Sequence, residues 1–207
     1  MTAQDLSNAI RLAVLWHHGG LYLDMDMILL RNDAGDVLKN GLLPMIGQDI
    51  DTVNNAVMMF PAAKHDFLHY LMEEFAQVTP CAGGHRRWGD HGPRLLRGVL
   101  EKWNRGHAQK NPSIGATNAV GKYNVSAFEP FHYRQIEAMV KEPLEEPIFW
   151  EYLQDSVCDQ QNPTVGMHFF NSKTRASKVH SASLLARVME WRCPISFERL
   201  KVENQVA

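Results

Sequence analysis

Asp24-Met25-Asp26 closes a short apolar run, Leu21-Tyr22-Leu23. Two carboxylates spaced i and i+2 point to the same side of an extended backbone. One could ligate a metal ion directly and the other directly or through water. Hard carboxylate oxygens suit Mn2+ or Mg2+, ions that complete their shell with water and substrate phosphates. A cation held this way would neutralise the charge that develops on a departing nucleoside diphosphate. A turn cap after the strand is the other reading, and on physics alone the two stand level. A second tripeptide of the same form, Asp49-Ile50-Asp51, lies in a polar stretch and reads as a solvated loop.

The elements around the first tripeptide set it apart from the second. Residues 3–17 read as a helix, with Leu6, Ala9, Ile10, Ala13, Val14 and Leu15 recurring at helical spacing. Gly19-Gly20 stops it. The strand follows, and its carboxylates stand at the carboxyl end, where open α/β sheets bind ligands. Further strands are expected at 42–46, 55–60, 123–128 and 164–169. Helices are expected at 64–78, 92–103, 148–154 and 181–192, the last being the final element. Residues 80–84 and 104–122 read as loops. Strands alternating with helices indicate an α/β fold, and no domain boundary is visible over 1–207.

Composition narrows the function. The 207 residues suffice for one sizeable domain. A formal charge of −2 gives no electrostatic reason to propose nucleic acid as a partner. Cys81, Cys158 and Cys193 lack zinc-site spacing and allow one disulfide. No run of about 18 apolar residues would span a bilayer, and the first residues show no signal-peptide pattern. Asn124-Val125-Ser126 is an acceptable glycosylation sequon, which weakly allows a secretory location.

The run Ser7-Asn8-Ala9-Ile10-Arg11-Leu12-Ala13-Val14-Leu15, followed by Gly19-Gly20-Leu21-Tyr22-Leu23-Asp24-Met25-Asp26, resembles the DXD-containing sugar-transfer region of glycosyltransferases. Asn54-Asn55-Ala56, Trp88-Gly89-Asp90-His91-Gly92-Pro93-Arg94-Leu95-Leu96, His168-Phe169-Phe170-Asn171 and Cys193-Pro194 then follow in order. That ordered set resembles the alpha-1,4-glycosyltransferase group that includes globotriaosylceramide synthase. Nearly the whole chain is covered.

The resemblance implies a GT-A-like, Rossmann-related α/β fold and retaining transfer of a hexose from a UDP-sugar to a glycan or glycolipid. Mn2+ is the metal it implies, with Mg2+ the alternative. It gives Asp24 and Asp26 the metal and diphosphate, with Asp26 at the reaction centre and His168 as a further metal ligand. Arg11, Asn8, Asn54, Asn55 and Gly92 match donor-binding positions, and a planar guanidinium at Arg11 suits a phosphate or sugar hydroxyl. Asp90 and His91 match the loop where acceptor and donor sugar meet. Residue by residue, plainer roles stand beside these. Arg11 could be a surface ion-pair residue, Asn54-Asn55 a turn, Asp90 a helix cap, and His168 and Trp88 packed core. No carboxylate pair suited to double displacement is visible, so a front-face transfer fits better.

Three departures are notable. Asn8 stands where relatives carry Asp, and Phe replaces Trp in His168-Phe169-Phe170-Asn171. The resemblance also begins at the helix before the DXD motif, whereas members have upstream βα units, a stem and a membrane anchor. The expectation is an N-terminally truncated domain with an unpaired sheet edge and weakened donor binding. The resemblance implies the Golgi lumen, with membrane association in the full-length form. Two competing readings are a metal-dependent phosphoesterase on nucleotide sugars and an inactive nucleotide-sugar-binding remnant.

Overall fold

A computed structural model describes residues 2–34, 45–48, 53–78, 89–110, 120–144, 147–161 and 163–202. They fall into two compact units. The first is Met1–Asp24 with Gly35–Tyr123, and the second is Met25–Ala34 with Asn124–Ala207. The unit boundary along the chain therefore passes through the DXD tripeptide.

In the first unit, helix α1 (Ala3–His18) opens on a reciprocal cap. The Thr2 hydroxyl accepts from the Asp5 N–H at 3.1 Å, and the Asp5 carboxylate accepts from the Thr2 N–H at 2.8 Å. It ends at Gly19, whose N–H donates to the Leu15 carbonyl. Only glycine serves there. Its φ is +67°, and a Cβ would lie 2.8 Å from the Ala62 carbonyl carbon. Strand β1 (Gly20–Leu23) follows at once. It pairs antiparallel with β4 (Val53–Phe60), Gly20 opposite Phe60 and Leu23 opposite Val57. Strand β3 (Met45–Gln48) lies antiparallel on the other side of β4, with a register shift at Ile46/Gly47. Strand β5 (Gly121–Lys122) pairs parallel with β3, giving the order β1-β4-β3-β5.

Helices α2 (Asp66–Gln77) and α3 (Pro93–Lys110) pack with α1 around the apolar face of this sheet. Leu12, Leu15, Met58, Phe60, Phe67, Leu71, Leu96 and Trp103 form the core. Phe60 stacks on Phe67, which meets Trp103 edge-on.

In the second unit, β2 (Met27–Leu29) pairs antiparallel with β6 (Gly166–His168), Met27 opposite His168. A 3-10 turn (Val125–Ala127) lies alongside. The Val165 N–H donates to the Ala127 carbonyl, and the His168 N–H to the Phe128 carbonyl. Helices α4 (Ile136–Lys141), α5 (Pro147–Cys158), α6 (Asn171–Thr174), α7 (Leu184–Arg192) and α8 (Pro194–Val202) complete the unit. Leu30, Ile136, Leu153, Met167, Leu184 and Val188 are at its centre. Cys158 and Cys193 carry free thiols.

The molecule is thus a mixed helix-and-strand fold, with strand pairing largely antiparallel among the described residues. Four expectations change. Helix α3 runs on to Lys110, past the start of the loop expected from 104, while residues 111–119 of that expected loop lie outside the described residues. The strand expected at 123–128 is largely a 3-10 turn, because the Asn124 side chain accepts from the Ser126 N–H and turns the chain. Helix α7 is not the last element, since Pro194 starts α8 as a first-turn proline can.

The fourth change concerns α1. Its buried residues are Asp5, Asn8, Arg11, Leu12 and Leu15. Leu6, Ile10 and Val14 point outward, about half exposed. The expected loop at 80–84, the tripeptide Asp49-Ile50-Asp51, and Cys81 and Trp88 lie outside the described residues.

Candidate active site

The polar residues buried by α1 converge on the end of β1. Arg11 is 6% exposed, and its guanidinium donates to the Asn55 carbonyl. It also lies 3.2 Å from the Asp24 carboxylate. The same group sits 4.6 Å over the Tyr22 ring, a cation–π contact. The Tyr22 hydroxyl donates to Asp24 Oδ1 at 2.7 Å. Burial first, and then the Asp24 carboxylate, push that hydroxyl up to about 12. Asp24 keeps strand pairing through its own N–H, donated to the Ala56 carbonyl at 2.9 Å. Its carboxylate is therefore fixed by a guanidinium, a phenol and the sheet together.

One turn back on α1, the Asn8 side chain accepts from Asn55 Nδ2 at 2.9 Å. A Cβ at Gly92 would come 3.3 Å from Asn8 Nδ2, so the turn before α3 closes directly on this amide pair. His91, 8% exposed, places Nδ1 3.2 Å from the Asp5 carboxylate and packs its ring 4.6 Å from Phe75. Asn8, Arg11, Asp24, Asn55, His91 and Gly92 are thus gathered within one unit. Two other expected residues make local contacts. The Asn54 side chain accepts from the Ala56 N–H of its own strand. The Asp90 carboxylate, about a quarter exposed, lies 3.9 Å from Arg94 one helical turn on.

The second cluster lies wholly in the second unit. The chain turns at Met25-Asp26, so the tripeptide is not extended throughout, as its i, i+2 reading required. Met25 is fully exposed at this turn. The Asp26 carboxylate accepts from the Asn171 N–H at 2.6 Å and lies 3.4 Å from His168 Nε2. Burial opposes its charge, but His168 and the Asn171 N–H outweigh burial and hold the carboxyl down at about 2. His168 is buried between two carboxylates, with Nδ1 3.7 Å from Glu129. Burial disfavours the imidazolium, yet Asp26 and Glu129 overcome it and raise the group to about 9. The Phe170 ring stacks on the imidazole at 3.9 Å. Phe170 itself has φ +45°, an uncommon conformation for an aromatic residue.

Tyr22, Asp5 and Glu129 were absent from the residues expected from sequence. Tyr22 carried a signal, since it is two residues before Asp24 on a strand and so shares its face. Asp5 and Glu129 had none, because their partners lie 86 and 39 residues away.

A carboxylate beside an imidazole is a donor set that fits Mn2+ or Mg2+ less as a full cage than as an anchor. Among the described residues no group of three or more His, Cys, Asp or Glu side chains is arranged to hold a metal ion by itself. Any cation held at Asp26 would need phosphate oxygens and water to complete its shell.

A family model described as "Alpha 1,4-glycosyltransferase conserved region" matches residues 61–200. The chain belongs to the alpha-1,4-glycosyltransferase family. The resemblance read from the ordered motifs is borne out. A second model, "Glycosyltransferase sugar-binding region containing DXD motif", matches residues 1–49 and so contains α1 and the DXD tripeptide. Among family relatives, the lactosylceramide 4-alpha-galactosyltransferase of Rattus norvegicus is 30% identical over 191 residues, 91% of this chain and 47% of the rat protein. That of Homo sapiens is 28% identical over 206 residues, 95% of this chain and 50% of the human one. The alpha-1,4-N-acetylglucosaminyltransferase of Homo sapiens is 32% identical over 97 residues, 47% of this chain and 25% of that protein. The chain spans about half the length of these two galactosyltransferases. No solved structure matches it.

Proposed function

We propose that residues 1–207 carry the catalytic domain of a hexosyltransferase. It moves a hexose from a UDP-sugar to a glycan or glycolipid, with retention at the anomeric carbon, on a GT-A-like fold. The observation that carries this reading is the fixed Asp24 carboxylate at the end of β1, backed by Arg11 and Tyr22, two residues before an Asp26 held against His168. A strongly held carboxylate is costly to bury without such partners, and this chain provides them on both.

In this reading Asp26 and His168 would hold the divalent cation, with Mn2+ the metal of choice, and Asp24 keeps the metal-diphosphate role that the DXD resemblance gives it. When bound, that ion supplies Lewis-acid stabilisation of the departing diphosphate. The chain's own residues do the rest. Arg11 aligns Asp24. Asn8 and Asn55, with Gly92 closed on them, present amides that donate to sugar hydroxyls and accept from them. Asp90, with its partly exposed carboxylate, is the acceptor-side candidate. His91 sets the turn that carries it. Catalysis rests on positioning and preorganised charge. The relatives' names favour a galactose donor and a lactosylceramide-type acceptor, and the family resemblance implies the Golgi lumen. Among the described residues no helix is long and apolar enough to cross a membrane.

Calorimetric titration of UDP into the chain, with and without Mn2+, tests the reading. Mn2+-dependent binding that Asp26→Asn abolishes is the expected result. A folded chain that binds no UDP under any condition overturns it. UDP release stimulated by a lactosyl acceptor separates transfer from simple hydrolysis.

A further inference from the structure

Glu129 is only 9% exposed, a costly place for a carboxylate, and no sequence motif marks it. Its backbone is tightly placed. The Glu129 N–H donates to the Val125 carbonyl at 2.9 Å, completing one helical turn over the 3-10 segment. The preceding carbonyl, of Phe128, accepts from the His168 N–H at 3.0 Å. Thr164 fastens the same segment from its other end, its hydroxyl donating to the Ser126 carbonyl at 3.1 Å. Glu129 and His168 are thus carried on two backbones hydrogen-bonded to each other.

The imidazole is gripped on three sides. Nε2 is 3.4 Å from Asp26, Phe170 covers the ring, and Nδ1 faces Glu129 at 3.7 Å. Nδ1 is buried and has no hydrogen-bond partner. A separation of 3.7 Å is that of an ion pair, longer than a hydrogen bond. Contacts at reactive sites are commonly long without ligand and tighten when it binds. A histidine that ligates a metal through one nitrogen generally donates its other N–H to a carboxylate, which fixes tautomer and ring orientation.

We propose that Glu129 is a positioning residue for His168, holding Nδ1–H so that Nε2 stays aimed at Asp26 and the cation bound there. The proposal rests on the cation reading above. The role assigned to Glu129 is exerted through the imidazole and not by contact with donor or acceptor.

The test uses the full chain labelled with 15N-histidine, with His168→Gln identifying the His168 signals. Glu129→Gln and Glu129→Ala are compared with wild type by imidazole NMR, by thermal melt, and by Mn2+ titration in the presence of UDP. The expected result is a folded Glu129→Gln whose His168 Nδ1 signal moves and whose Mn2+ affinity with UDP falls roughly tenfold or more. Glu129→Ala should fall further, since glutamine retains an acceptor for Nδ1–H. Unchanged His168 signals, or unchanged Mn2+ affinity in a folded variant, overturn the assignment and leave the cation reading intact. A wild type that takes up no Mn2+ with UDP overturns the cation reading and, with it, the purpose assigned to Glu129. The metal-free NMR comparison then still decides whether the carboxylate holds the ring.

Discussion

His168 Nε2 lies 3.4 Å from the Asp26 carboxylate, and the backbone locks the two together. The Phe169 N–H donates to the Asp26 carbonyl at 2.9 Å, and Met27 stands opposite His168 in the β2–β6 pairing. Neither residue can leave the other without breaking that small sheet. The pair therefore couples the protonation of a histidine to the integrity of a strand junction.

A pH dependence of stability follows, with two signs. Asp26 has its carboxyl lowered from 3.8 to about 2, so its contribution is present above the ordinary value and is lost as pH falls through about 2. His168 is raised from 6.5 to about 9, so its contribution is full below 6.5 and is lost as pH rises through about 9. Between pH 4 and 6.5, roughly, both act. Melting temperature of the metal-free chain should fall between pH 6.5 and 9, and His168→Gln should remove most of that slope. An equal slope in the variant would show that the pair is not its source.

Tyr22→Phe tests the clamp on Asp24. It deletes the 2.7 Å hydrogen bond and leaves the ring under Arg11. One such bond to a charged group is worth about 1.5 kcal/mol or more. UDP affinity measured with Mn2+ should weaken by roughly tenfold, with only a small change in melting temperature. Unchanged affinity would mean that Arg11 alone orients Asp24.

How far the sequence could be read depends on what each signal measures. The stop at Gly19-Gly20 and the strand that leads into Asp24 were legible, because glycine geometry and apolar runs act locally. The inward face of α1 was not. Apolar periodicity selected Leu6, Ile10 and Val14, which are exposed, and passed over Arg11 and Asn8, which are buried. Their burial depends on partners on other elements, the Asn55 carbonyl and side chain and the Asp24 carboxylate. Periodicity counts residue types and cannot anticipate a buried polar network. Glu129 was hidden for the same reason, since its contact with His168 exists only after the chain folds.

Gly19→Ala probes the joint between α1 and β1. The new Cβ would meet backbone at 2.8 and 2.9 Å, at a φ of +67°. Backbone atoms of Ala62 and Ala63 cannot rotate aside as a side chain can. A cost of at least about 2 kcal/mol is expected, read as a melting temperature lower by roughly 4–8 °C for a chain of this size. A melt within a degree of wild type would show that the loop after β4 yields.

Gly92→Ala separates a tight site from a merely glycine-rich one. Its Cβ would come 3.3 Å from Asn8 Nδ2 and 3.6 Å from Asn55 Nδ2, so the amide pair must shift rather than the backbone. Because these are side-chain atoms, the fold should survive, with a loss of about 1 kcal/mol as the Asn55-to-Asn8 hydrogen bond lengthens. The larger effect should be on donor binding, through two displaced amides. Gly98→Ala is the matched control. It lies on an exposed face of the same helix, a Cβ there meets nothing within 4 Å, and alanine should stabilise the helix by roughly 0.5–1 kcal/mol. If Gly92→Ala melts lower and loses UDP-sugar affinity while Gly98→Ala melts higher and keeps it, the turn before α3 is part of the donor site. If both variants bind the UDP-sugar like wild type, the Asn8–Asn55 pair is a structural tie between α1 and β4 and the donor's hydroxyls are held elsewhere.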